Sequence, residues 1–303
     1  MVISVMPVDT VKVIDLLYSW LALRIPEHGF AWLEEKQSEI YQGAREQVFL
    51  TSFSAVPRYT GKGELNLSEK ELEAAQELCS GWSPDHWSVD QVGRVLLLLT
   101  WPCDNAEKYL RSLDKLFSTE DVGELIALYK SLPLLPYPEQ HLSYAVKGIR
   151  SNRTVIFDAI ALRNPYPLEY FDNDTWNEMV FKAVLVESPL HLIEGLERRA
   201  NPILTQMLID YAHQRWEKDL TVTPELWRVV EPFITDAIAS DLERVMDEPD
   251  LAQQEAAALA CFHSPSMEAT AILERDRPDL KEEIENGYLT WETFTQERII
   301  ACE

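Results

Sequence analysis

Residues 148–216 read GIRSNRTVIFDAIALRNPYPLEYFDNDTWNEMVFKAVLVESPLHLIEGLERRANPILTQMLIDYAHQRW, and this stretch decides the fold class. Within it, residues 153–163 and 176–186 are apolar on almost every side of a helical wheel, the pattern of helices enclosed by protein. The linker Asn164-Pro165-Tyr166-Pro167 cannot be helical throughout, because a proline lacks the amide donor and its ring clashes with the preceding turn. Two buried helices joined by a short break follow, with the rest of the chain expected to be built around them.

Upstream, Val11, Ile14, Leu17 and Leu21 recur at helical spacing and predict a helix over about 9–23, stopped before Pro26. A longer helix is expected over about 30–55, ended by Pro57, then an exposed loop at 58–67 containing Gly61 and Gly63. Ser68 with Glu71, and Ser88 with Gln91, have the spacing of capping boxes. Residues 106–117 and 119–132 read as a helix pair with Ser118 at the junction. The run PLLPYP at 133–138 is the best internal boundary, dividing the chain into 1–132 and 139–303, the latter containing the core 148–233. One continuous domain is the alternative.

Downstream, Ser188-Pro189, Asn201-Pro202, Thr223-Pro224 and Ser264-Pro265 each place a capping residue ahead of a proline at the first helical position. No segment reads as a strand. The fold class is all-α, with antiparallel helix pairs stacked in an irregular HEAT-like, α-α superhelical arrangement.

Composition bounds the function. With 46% apolar residues, nine tryptophans and only ten glycines, the chain has the makings of a packed helical globule. Its net charge of −24 argues against nucleic acid and anionic lipid as partners. That charge is uneven: residues 141–218 carry a net −1, so the other 225 residues carry −23. Cys79, Cys103, Cys261 and Cys302 are far apart in sequence, which suits reduced thiols in the cytoplasm. The start, MVISVMPVDTVKVIDLLYSWLAL, lacks the basic beginning of a signal peptide and is interrupted by Asp9, Lys12 and Asp15. No integral membrane segment is expected.

Chemistry has few places to sit. Asp158 lies in VIFDAIAL, where a carboxylate must be paired or protonated. Arg150, Arg153 and Arg163 are near it in sequence and suit either an internal ion pair or the grip on an anionic ligand. Asn164 and Tyr166, in the linker, either line that pocket or cap and fill; Arg198 joins the candidate ligand set. His191 and Glu194 fall on one side of a helix expected after Ser188, and Asp210 and His213 stand three apart on the next. The four are a candidate divalent metal site, with a solvated polar face as the plain reading. DNDTWNE at 172–178 lacks the central glycine of a calcium loop and reads as helix capping. No other cofactor is indicated.

The run IRSNRTVIFDAIALRNPYPLEYFDNDTWNEMVFKAVL, together with SPLHLIEGLERRANPILTQMLIDYAHQRW and TPELWRVVEPF, resembles the EboA family, most closely over residues 134–233. The resemblance implies a context: a bacterial gene cluster linked to metabolite traffic. That cluster also encodes proteins that look like a membrane prenyltransferase, a TatD-type hydrolase, a dehydroquinate-synthase-like enzyme and a sugar-isomerase-like barrel. It attaches no catalytic role to any residue here. The expected function is a cytoplasmic accessory protein that binds a metabolite, an anionic one included, or partner enzymes of the cluster. An enzyme using Asp158 or the His191, Glu194, Asp210 and His213 set is the alternative, and a pure protein–protein scaffold is a second.

Overall fold

The computed structural model of the chain describes residues 8–302, with side chains as far as Gln296. Regular structure among them is all helical, eighteen α-helices and short 3₁₀ turns, apart from one isolated β-bridge between Glu64 and Ser88. No described helix is long and apolar enough to cross a membrane. The chain divides into two compact units, one ending at Trp176 and one beginning at Asn177; the proline run 133–138 lies inside the first.

The first unit opens with α1 (Thr10–Ala22), α2 (Glu27–Tyr41), α3 (Glu46–Thr60) and α4 (Glu69–Leu78). It continues with α5 (Val89–Thr100), α6 (Ala106–Phe117), α7 (Val122–Ser131), α8 (Leu142–Ile149), α9 (Thr154–Ala161) and α10 (Tyr166–Tyr170), and α11 (Asn173–Leu185) begins there. Both capping boxes form, at Ser68 and Ser88. The helix expected over 30–55 is two helices, because the chain turns at Gly43, whose φ of 90° is open to glycine and strained for other residues.

α5 is the centre of this unit. Val92, Val95, Leu96, Leu97 and Leu98 are wholly buried, and α1, α2, α3 and α7 all pack on it. Two of its polar residues, Asp90 and Arg94, are buried too: the Arg94 guanidinium meets the Asp90 carboxylate at 2.7 Å, and Ser88 Oγ donates to the same carboxylate at 2.6 Å. Pro57 does not end α3 as expected; it sits inside the helix. Having no N–H, it leaves the Phe53 carbonyl without its helical donor. Arg94 Nε donates to that carbonyl at 3.3 Å, and its guanidinium lies 5.8 Å from the centre of the Phe53 ring.

The second unit contains the rest of α11, then α12 (Pro202–Trp216), α13 (Leu226–Val230), α14 (Asp236–Met246), α15 (Leu251–His263), α16 (Met267–Asp276), α17 (Pro278–Glu285) and α18 (Trp291–Cys302). Its centre is α15, on which α13, α14, α16, α17 and α18 pack. Ala256, Ala257, Ala258, Leu259, Ala260 and Cys261 are all buried, so this stretch of α15 has no solvent side. Neighbours in sequence do pair, as α2 with α3 and α14 with α15. Both central helices nevertheless lie outside residues 148–216, where the sequence placed the organising core.

Removing one member of a buried ion pair leaves the other charge uncompensated, at about 3–5 kcal/mol. Arg94→Met is expected to lose stability on that scale by chemical denaturation. Adding Pro57→Ala returns about 1 kcal/mol, by giving the Phe53 carbonyl a helical N–H again. A double variant no more stable than Arg94→Met would show that the carbonyl is not what Arg94 satisfies.

Candidate functional site

In the first unit, the linker residues singled out from the sequence serve the backbone. Asn164 is buried; its Nδ2 donates to the carbonyls of Tyr129 (3.1 Å) and Ala159 (3.2 Å), and its Oδ1 accepts the Tyr166 N–H at 3.0 Å. Tyr166 is fully buried, donates its hydroxyl to the Pro138 carbonyl at 2.6 Å and stacks on Tyr170. Together they close the break between α9 and α10, which is the capping-and-filling role. Arg163 has a left-handed φ of 52° and turns its Nε to Asp85 at 3.3 Å. Asp158 is half-buried on α9, while Arg150, Arg153 and Arg198 are exposed. Asp172 caps α11 through the Thr175 N–H, as expected of DNDTWNE.

In the second unit the α-helix expected after Ser188 is absent. The chain makes separate 3₁₀ turns at Leu190–Leu192 and Glu197–Arg199, because the backbone is extended at Pro189 and Ile193, with ψ of 113° at each, and Gly195 takes a φ of 75°. His191 and Glu194 therefore do not share a helical face. His191 Nδ1 meets Glu225 Oε1 at 2.7 Å, and the same carboxylate accepts the backbone N–H groups of Leu190 (2.9 Å) and His191 (3.2 Å). Asp210 receives the Gln206 carboxamide, and His213 Nε2 meets Asp241 at 2.9 Å. The two histidines are thus held by different carboxylates. Among the described residues no three His, Cys, Asp or Glu side chains are placed to hold a metal ion.

Of the expected proline caps, Asn201 works as read, accepting the Leu204 N–H at 3.0 Å ahead of Pro202. Ser264 instead ends α15, and Ser266 caps α16.

α12 and α14 leave a groove of about 370 Å³ between them. Pro202, Ile209, Phe233, Ala237 and Ile238 form its apolar lining, and Thr205, Gln206, His213, Thr235 and Asp241 contribute polar groups. Since a carboxylate only accepts, His213 Nε2–H is the donor in that pair. The Thr205 hydroxyl is buried and has no hydrogen-bond partner among the described residues. Behind His213, Trp216 lies under the Arg244 guanidinium at 4.6 Å and against Trp227. Sequence reading found His213 and missed Asp241, which carries no local signal: it is one of several acidic residues on a helix with the pattern of an exposed one. Glu225 was legible only as an acidic residue in TPEL.

Fold and groove together define a helical protein with a cleft sized for a small molecule. The family profile of EboA, described as metabolite traffic protein EboA, matches residues 13–231, most of the chain, and the chain belongs to this family. The match reaches much nearer the N-terminus than the resemblance over 134–233. No curated protein and no solved structure matches the chain.

Burial pushes the Glu225 carboxyl up, but its bond to His191, the imidazole charge and the two backbone N–H groups outweigh this and hold it below its ordinary 4.5. The stability this supplies is present above that ordinary value and is lost as pH falls through the lower folded value. Glu225→Gln is expected to cost about 1.5–3 kcal/mol at neutral pH. The deficit should shrink in denaturation curves taken below pH 4.5. A deficit that grows on acidification would contradict this account of the carboxylate.

Proposed function

We propose that this protein is a helical accessory protein of metabolite traffic that holds a small metabolite in the α12–α14 groove. The observation that carries the reading is the composition of that groove. It is a cleft of about 370 Å³ with a mainly apolar lining and a few polar groups. Small-molecule sites have this character, at roughly 300–1,000 Å³. The ligand it suits has an apolar body and a hydrogen-bonding group that meets the His213–Asp241 pair. The partners that go with this role are enzymes of the same gene cluster. A cytoplasmic location fits the unbridged thiols of Cys79, Cys103 and Cys261, two of which burial pushes up to about 12. The side chain of Cys302 lies outside those described.

The test is native mass spectrometry of protein purified gently from its host, compared with the same sample denatured. The expected result is an organic adduct on the parent protein that is absent from Ala237→Trp, which fills the groove from an exposed position. An adduct retained in full by that variant would place the ligand elsewhere. A parent protein without adduct that captures an enzyme of the cluster would favour the scaffold reading.

A further inference from the structure

We infer that Lys130 and Arg163 form, above the 83–88 loop, a binding site for a small oxyanion of the phosphate or carboxylate type. The site belongs to the first unit and does not depend on the groove. Two helices bring a cation to the same short loop. Lys130, near the end of α7, donates Nζ to the His86 carbonyl at 3.2 Å and to Gln91 Oε1 at 3.1 Å, with the Trp87 ring 5.9 Å away. Arg163, just after α9, turns its Nε to Asp85 in the same loop. Both side chains are part-buried, so their charges are poorly screened, yet neither is closed off from solvent.

The charges around the loop do not balance. Among the described residues, Lys130 donates only to neutral acceptors, the His86 carbonyl and Gln91 Oε1. Asp85 faces Arg163 and is shared with the His86 imidazole at 3.1 Å. Asp90, the other nearby carboxylate, is paired with Arg94. Two cations therefore lean on one carboxylate, in a chain whose net charge is −24. The effect registers on both. Burial first, and the neighbouring Arg163 second, push the Lys130 amine down to about 8, with Asp85 and Asp90 pulling the other way. Burial likewise lowers Arg163 despite Asp85.

A bound oxyanion supplies the missing negative charge. Arg163 uses its Nε on Asp85, and its terminal nitrogens have no partner among the described residues; they present the fork that phosphate and carboxylate accept. The remaining Lys130 N–H adds a point charge beside it. An anion there favours protonated Lys130, so binding takes up a proton above pH 8.

Competitive acylation of lysine amines, read by peptide mass spectrometry across pH at fixed ionic strength, tests the site on the full chain. The probes are inorganic phosphate and acetate, and exposed Lys62 is the internal control. Without anion, Lys130 should titrate near 8. With saturating probe its apparent pKa should rise by about one unit, a roughly tenfold slowing of acylation at about pH 7 that fades above about pH 9, and Lys62 should not change. Arg163→Gln should abolish the protection and Arg163→Lys should restore part of it, both with melting temperatures near the parent's. Whichever probe protects identifies the anion. Lys130 that neither probe protects, or that is protected equally in Arg163→Gln, overturns the site and leaves the two cations as fasteners of the loop.

Discussion

The guanidinium of Arg94 is the interaction on which the first unit depends. A proline inside α3 removes a helical hydrogen bond, and the orphaned Phe53 carbonyl faces α5, on which α1, α2, α3 and α7 pack. An apolar residue at that point of α5 would leave the carbonyl dry and unpaired, which is costly inside protein. Arginine supplies the donor, and Asp90 one turn earlier supplies the counter-charge that makes a buried arginine tolerable. The pair also fixes the register of α5 against α3, because only one rotation of α5 brings Arg94 to Phe53. Gly93 agrees with that close approach: a Cβ there would stand 2.8 Å from a Val56 methyl.

The second unit solves a related problem with the opposite charge. Between α11 and α12 the chain is irregular, and irregular backbone near a core has amide groups to satisfy. Glu225, at the start of α13, gathers two of them and the His191 ring. Gln253, buried on α15, does the same for the Val222 carbonyl at 2.7 Å. Loops that pass close to the core are thus pinned by single polar side chains projecting from helices. The groove lies between α12 and α14, which are joined across it by the His213–Asp241 hydrogen bond.

Much of the helical framework was legible in the sequence because its signals are local. Capping boxes at Ser68 and Ser88, the Asn201-Pro202 start and the Asp172 cap each act within four residues, and each is present. Apolar periodicity located α1 for the same reason. What failed was whatever depends on distant partners or on geometry that periodicity does not encode. His191 and Glu194 have helical spacing but sit on successive tight turns, since spacing cannot report that the backbone is extended at Ile193 and left-handed at Gly195. Neither α5 nor α15 declares itself a centre. Asp90 and Arg94 give α5 the pattern of a half-exposed helix, and the run of alanines in α15 resembles that of a generic surface helix. Asn164 and Tyr166 do stand out in the sequence, and their environment shows why: they close a chain break. Asp241 had no signal, because its meaning comes only from the histidine that α12 brings to it.

The alanine surface of α15 has a consequence for how this protein can change over generations. Five helices rest on it, and four of the buried side chains on that stretch are a single methyl group. A larger residue at Ala256, Ala257, Ala258 or Ala260 cannot be absorbed by one neighbour, since in a close-packed interior the displaced volume passes to every helix in contact. Drift at these positions is therefore collective: an enlargement on α15 survives only alongside reductions on the helices around it. Surface loops of the same unit are under no such obligation. The second unit should diversify from the outside inward, with its quietest helix the last to vary.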